Sequence, residues 1–199
     1  MKTCEYAGPP FSTPRSHPWS DTPDAGARYF DLTLTPGHIR TSLEDFKPWA
    51  HYPAIETFYK LLERLNQASS ALESNDCAFE GPRRNENRTV AKALQCSGRV
   101  MVLFRALARN TEAAEVSWLK NELHGALAPL DPNFLSGVVG TTLVPVRYLP
   151  LPEENGRQLG QQLMITFWAW GNSEAESMEN LGRLLKNLTQ ALRKVSALC

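Results

Sequence analysis

The chain has 199 residues, of which 42% are apolar, 21% charged and 9% aromatic, a composition typical of a globular protein with a buried core. Its 21 basic and 21 acidic residues cancel, so no global charge attracts it to nucleic acid or to an anionic membrane. No apolar run is long enough to cross a bilayer, and no signal-peptide core follows Met1. The chain is therefore predicted to have no membrane partner, and nucleic acid is disfavoured.

Cysteine and histidine spacing argues against a metal centre. The cysteines form no CxxC pair, and two of the four lie at the chain ends, unlike the disulfide framework of a small secreted domain. We therefore expect reduced thiols and a cytoplasmic location. No HxxxH or HExxH motif is present, and loop histidines explain His38 and His51 more simply than a site shared with distant carboxylates. The prediction is no metal and no cofactor.

The N-terminal segment, residues 1–26, is rich in proline. It holds five of the 14 prolines, and each removes an amide donor and disfavours helix in the residue before it. This pattern predicts an irregular arm ahead of a single domain at 27–199. Tyr6, Phe11 and Trp19 favour an arm that lies over the domain.

Apolar periodicity predicts the elements of the domain in chain order. Alternation with period two favours strands, and apolar stripes at i, i+3, i+4 and i+7 favour helices. Pro145 falls within a predicted strand and indicates an edge or a bulge. The predicted elements are a strand at 27–35, a helix from Pro53, strands at 70–79 and 93–107 joined by a loop at 80–91, a helix at 111–128, strands at 138–149 and 161–170, and a helix from Ser173 with a Glu176 capping box.

This order, β-αββ-αββ-α, predicts an α+β fold. The economical arrangement is a two-layer sandwich, with a mainly antiparallel sheet of four to five strands and three helices packed on one face. The helix sequences resemble one another, and each of the first two is followed by a pair of strands. The pattern predicts an internal duplication of an αββ unit.

Recognisable catalytic motifs are missing from the sequence. There is no GxxxxGK[ST], GxGxxG or GxSxG motif, and strands in adjacent pairs disfavour a nucleotide-binding α/β fold. Cys77 and Cys96 have no neighbouring histidine that would lower a thiol pKa. No catalytic residue is predicted from these patterns.

A hairpin between strands 70–79 and 93–107 predicts one polar cluster. A loop centred at Glu86–Asn87 places Cys77 opposite Cys96 and brings polar side chains to the other face. Asp76 and Arg99 then form a diagonal pair, interpreted as a site for an anionic or amide ligand or as a structural ion pair. The polar residues predicted to share that face are Ser74, Asp76, Ser97 and Arg99.

Two other surfaces are candidates for binding. Trp168 and Trp170 alternate with the apolar set predicted to face the helices, so they lie on the opposite face, exposed or covered by the arm. Arg83 and Arg84, together with Arg88 in the predicted loop, form a local basic cluster that suits an anion.

We therefore predict a non-enzymatic binding or protein-interaction protein, such as an adaptor, an immunity-type inhibitor or an assembly factor. Its partner is expected to be another protein, and self-association stays open. The alternatives are a small-ligand sensor and an enzyme with a dispersed site of Asp76, Arg83, Arg99 and His124. The candidate binding residues are Trp168, Trp170, Asp76, Arg99, Arg83 and Arg84.

Overall fold

The fold is α+β, as predicted, and is built on one sheet of six strands with helices packed against it. The computed structural model describes residues 1–6, 14–18, 31–41, 43–153 and 158–199. The strands are β1 (Lys2–Glu5), β2 (Arg15–His17), β3 (Leu72–Arg84), β4 (Leu94–Phe104), β5 (Gly137–Tyr148) and β6 (Leu159–Gly171). The α-helices are α1 (His38–Thr41), α2 (Pro53–Leu65), α3 (Ala113–Leu127) and α4 (Glu174–Ser196), and two 3-10 helices span Glu44–Trp49 and Leu107–Thr111.

The sheet combines an antiparallel core with parallel edge pairings. The strand order is β1-β5-β6-β4-β3, and β2 also pairs with β5. The four long strands pair in antiparallel fashion, whereas β1 and β2 run parallel to β5. The prediction of four to five mainly antiparallel strands is thus correct for the long strands and misses the two short ones.

Helices α2, α3 and α4 pack on one face of the sheet. On β6, the alternate residues that face this layer are fully buried with the helix stripes: Leu163, Ile165, Phe167 and Ala169. Pro53 begins α2 because a first-turn residue needs no amide donor. At the start of α4, Glu176 N donates to Ser173 Oγ at 3.1 Å, and Asn172 N donates to Glu176 Oε2 at 2.8 Å. The predicted capping role of Ser173 is confirmed.

The two long hairpins, β3–β4 and β5–β6, lie side by side with β4 and β6 as neighbours. Each follows a helix of the same layer, an arrangement compatible with the proposed αββ duplication, which stays a prediction. Within the described ranges, none of the helices combines the length and apolar character that crossing a bilayer requires.

The prediction of an irregular arm is wrong for the part of residues 1–26 that is described. β1 pairs with β5 from Lys2↔Val138 onward, and β2 pairs with it through His17↔Tyr148. Pro145 falls between the stretches of β5 that pair with β1 and β2, where its missing amide disrupts neither ladder. The predicted boundary between the arm and the domain at 27–199 stays a prediction.

The predicted strand at 27–35 is also wrong where it can be compared. Residues 27–30 lie outside the described ranges, and residues from Asp31 to Thr35 form a turn. Asp31 Oδ1 accepts hydrogen bonds from Thr33 N at 2.9 Å and Leu34 N at 3.2 Å. This side-chain turn outweighs the alternating pattern because it satisfies backbone donors locally.

The hairpin register differs from the prediction. β3 extends through Arg84, so the segment predicted as a loop at 80–91 is partly strand. Cys77 pairs with Val100 rather than with Cys96, which moves the centre of the hairpin towards Arg88. A bulge at Asn75 then places Ser74 on the helix side, where its Oγ accepts from Asn66 Nδ2 at 2.8 Å.

Candidate functional site

The sheet face opposite the helices, called here the open face, carries a solvent-accessible groove of about 420 Å³. One cross-strand row runs from Ala78 through Arg99 and Thr166 to Gly140. Small residues in this row leave a depression between the larger side chains on either side. The described residues that line the groove are Tyr6, Arg15, Ala78, Phe79, Glu80, Arg83, Ser97, Gly98, Arg99, Met101, Met164, Thr166 and Trp168.

Asp76 contacts the guanidinium groups of two residues that line the groove, although it is not itself part of the lining. Its Oδ2 lies 2.9 Å from Arg15 Nη1 and 3.3 Å from Arg99 Nη2. The predicted Asp76–Arg99 contact therefore exists, although Asp76 pairs with Met101 and the predicted register was wrong. The contact survives because the actual register differs by an even number of residues, which keeps Asp76 and Arg99 on the same face.

Arg99 has spare hydrogen-bonding capacity. Its Nε is buried and has no hydrogen-bond partner among the described residues. The 3.3 Å contact from its Nη2 is longer than the roughly 2.7–2.9 Å of a strong charge-assisted hydrogen bond. Arg99 is thus a held but incompletely satisfied donor at the centre of the groove.

A second carboxylate, that of Glu80, contacts two other residues that line the groove. Glu80 Oε1 lies 2.9 Å from Arg83 Nη1, and Ser97 Oγ donates to Glu80 Oε2 at 3.2 Å. Arg83 reaches this position because the register of β3 shifts between Glu80 and Arg83. Arg83 belongs to the groove, as the prediction of a binding role requires, while Arg84 is exposed at the end of β3 and is not part of the lining.

The arm supplies an aromatic wall. The Tyr6 ring meets the Trp168 ring edge-on, with centroids 5.1 Å apart and planes at 79°. Gly140 makes this approach feasible, since a Cβ there would lie 2.9 Å from the Trp168 ring and 3.0 Å from Tyr6 Cβ. Of the two alternatives for the Trp168 face, exposed or covered by the arm, the structure shows partial cover.

Trp170 does not belong to the groove. It is buried, and its Nε1 donates to Gln95 Oε1 at 3.0 Å. Of the two alternatives, exposed or covered, Trp170 is therefore covered, and Gln95 satisfies its indole donor within the protein.

The dispersed enzyme site with His124 is not assembled. His124 Nε2 contacts Thr141 Oγ1 at 2.7 Å on the helix side of the sheet, away from Arg99. Sequence reasoning missed Arg15, whose position depends on the pairing of β2 with β5.

A buried polar cluster lies beside the groove, under β2. Asn75 Nδ2 lies 3.0 Å from His17 Nδ1 and donates to Gln162 Oε1 at 2.9 Å. With Nδ1 accepting, the Nε2 of His17 carries the proton and faces Glu73 Oε1 at 3.7 Å. Burial lowers the pKa of His17 and raises the pKa of Glu73 to about 7. Both side chains are therefore favoured in their neutral forms.

Replacing Glu73 by glutamine is expected to stabilise the protein in a pH-dependent way. Burial raises the pKa of Glu73 from 4.5 to about 7, so ionising this carboxyl costs more free energy in the folded chain than in the unfolded chain. This free-energy cost is absent at pH values below the pKa of the unfolded chain and complete at pH values above the pKa of the folded chain. E73Q should therefore match the parent near about pH 4 and exceed its free energy of unfolding by on the order of 2 kcal/mol near about pH 8.

Urea denaturation at the two pH values measures this difference. Glu86→Gln, on the exposed hairpin loop, is the matched control and should show no such dependence. An E73Q variant whose stability relative to the parent does not change with pH would contradict the burial of an acid at this position.

The thiols of Cys77 and Cys96 are disfavoured as nucleophiles. Burial raises the pKa of Cys77 to about 12 and the pKa of Cys96 to about 11. Both side chains are held as thiols, which are poor nucleophiles and poor metal ligands. Across the parts of the chain that are described, no three His, Cys, Asp or Glu side chains come together as a metal site would require.

Comparison with known proteins finds no matching family model, no matching curated protein and no matching solved structure.

Proposed function

We propose that this chain is a non-enzymatic binding protein that recognises another protein through the groove on the open face. The groove combines Arg99, Tyr6, Trp168 and two methionines. Arginine, tyrosine, tryptophan and methionine are the residue types enriched at the centres of protein interfaces. Glu80 and Ser97 in the described lining are engaged with each other and Glu80 also contacts Arg83, which supports recognition over acid–base or nucleophilic catalysis.

The observation that carries the proposal is the position of Arg99 in the groove, where its side chain is 39% exposed and contacts Asp76 at 3.3 Å. A guanidinium has five N–H donors, so this one contact leaves donors for an acceptor from a partner. The half-buried Trp168 beside it offers apolar area to the same partner. An open groove suits a protruding segment of a protein, whereas small-molecule sites enclose most of their ligand.

Filling the groove should abolish capture of the partner. Thr166 is half-buried in the groove lining, and Thr166→Phe adds a phenyl group there without changing the charge. In affinity capture from the source cell with quantitative mass spectrometry, the parent chain should enrich a protein that T166F does not.

Asn121→Phe is the matched control, because it adds the same group to an exposed position of α3 in the opposite layer. N121F should capture the same protein as the parent. If T166F and N121F enrich the same proteins equally, the groove is not the binding surface and the proposal fails.

A small-ligand sensor is the second candidate, favoured by the size of the groove. Its volume of about 420 Å³ falls within the roughly 300–1,000 Å³ of small-molecule pockets. Native mass spectrometry of protein purified from the source cell distinguishes the two. A bound small molecule that is lost in T166F but retained in N121F would favour this candidate.

A further inference from the structure

We infer that the helix layer carries a second binding site, a pocket that takes a phosphate group, either free or carried by a small molecule. The pocket lies between the C-terminal ends of α2 and α4 and the turn that follows α2, away from the groove on the open face. Its volume of about 210 Å³ is below the roughly 300–1,000 Å³ of sites for drug-sized ligands, so it fits a compact anion. The described residues that line it are Leu61, Arg64, Leu65, Gln67, Ser69, Ser70, Thr189, Leu192, Arg193, Ser196 and Ala197.

Two arginines from different helices line this phosphate pocket. Arg64 belongs to the last turn of α2, and Arg193 belongs to the last turn of α4. Both residues are exposed, and neither side chain forms an ion pair or a hydrogen bond with the described residues. Their N–H donors are therefore accessible from solvent and available to a ligand.

The described lining of the pocket contains no acidic residue. The acidic residues of α2, Glu56 and Glu63, contact Arg40 instead, at 2.7 and 2.5 Å, and α4 has no acidic residue after Glu179. The two helix C-termini carry about half a negative charge each, which offsets about one of the two positive charges. The pocket therefore keeps a net positive charge.

Hydroxyl groups add donors of a second kind. Ser69 Oγ makes no hydrogen bond with the described residues, and Ser196 Oγ accepts from Ala71 N at 3.3 Å, which leaves its own O–H free to donate. One guanidinium can satisfy both oxygens of a carboxylate, whereas a phosphate group presents three acceptor oxygens and up to two negative charges. Donors from two helices and a turn thus match a phosphate group better than a carboxylate.

Titration of the full chain with inorganic phosphate tests the inference. The arginine Cδ–H groups are followed by two-dimensional carbon–proton NMR near about pH 8, where phosphate is mainly a dianion. The resonances of Arg64 and Arg193 are assigned by their loss in Arg64→Gln and Arg193→Gln. Phosphate should shift both resonances in a saturable way, and chloride at the same ionic strength should not.

Glycerol 3-phosphate is the second probe and distinguishes the two sources of the phosphate group. It should shift the same two resonances, because both arginines are exposed at the pocket and leave space for a substituent. Tighter binding than that of inorganic phosphate would identify a phosphorylated small molecule as the ligand. Weaker binding would identify free phosphate.

Charge variants test whether the pocket or the general charge of the surface binds the anion. R64Q and R193Q should each weaken phosphate binding about ten- to a hundredfold, the factor expected for loss of a charged hydrogen bond. Glutamine is a good helix former, so both helices should be kept. Lys194→Gln is the matched control, because it removes the same charge from the same turn of α4 outside the described lining. K194Q should bind phosphate within about twofold of the parent chain, since salt screens exposed charges.

Three results would overturn the inference. The first is that phosphate leaves the Arg64 and Arg193 resonances unchanged. The second is that K194Q loses as much affinity as R193Q, which would indicate diffuse attraction to a basic surface. The third is that T166F loses phosphate binding, which would place the anion in the groove on the open face.

Discussion

Replacing Asn110 by alanine is expected to lower the free energy of unfolding by about 3 kcal/mol, because two buried backbone groups lose their partners. Asn110 is 1% exposed and follows β4 in the short 3-10 helix. Its Oδ1 accepts from Phe104 N at 2.8 Å, and its Nδ2 donates to Phe104 O at 2.8 Å. The side chain thus continues the ladder of β4 beyond Val102, the last β4 residue that pairs with β6.

Chemical denaturation of N110A measures this loss. Asn121→Ala is the control, because Asn121 is exposed on α3 and its side chain makes no hydrogen bond with the described residues. N121A should change stability by no more than about 0.5 kcal/mol. Equal stabilities for N110A and N121A would show that the Phe104 backbone does not depend on the amide.

Truncating Phe167 to alanine is expected to cost about 4 kcal/mol, since it opens a large cavity between the sheet and α2. Phe167 is fully buried, and its ring meets Phe58 edge-on with centroids 5.3 Å apart. Its ring also covers Gly98, where a Cβ would come within 2.5 Å of the phenyl Cζ. Few atoms can move to refill such a site.

Leu159→Ala at the start of β6 is the control, because Leu159 is 49% exposed. Its expected cost is no more than about 1 kcal/mol. Urea titrations should show a much lower midpoint for F167A at an unchanged slope. A loss in F167A as small as that in L159A would mean that this ring does not connect the two layers.

The helices and the core face of β6 could be predicted because their signals are local. Pro53 and Ser173 mark the first residues of two helices through backbone chemistry that involves only near neighbours. The apolar alternation around Phe167 identifies the helix-facing side of the strand for the same reason. These features require no knowledge of which strands meet.

Strand register and arm placement could not be predicted because they depend on partners far along the chain. The bulge at Asn75 and the shift before Arg83 change the pairing without changing the apolar pattern. β1 and β2 show no alternation of their own, and they become strands because β5 presents an edge. Arg15 enters the groove only through that pairing.

The candidate site was predicted in part. Asp76, Arg99 and Trp168 follow from the period-two pattern, which survives an even change of register. Trp170 belongs to the same pattern, but it is buried, and its indole donor is satisfied by Gln95. The period-two pattern predicts the face of the sheet on which a side chain lies, whereas the exposure of that side chain depends on the neighbours that pack against it.

The parallel pairing of β1 with β5 has a consequence for the order of assembly during translation. Lys2 leaves the ribosome long before its strand partner, Val138, which emerges only after both strands of the β3–β4 hairpin have been made. Long-range contacts of this kind form late because closing a large loop is slow. The groove wall that contains Tyr6 is therefore completed after the hairpin that carries Arg99, so a nascent chain displays the arginine before its aromatic neighbour is in place.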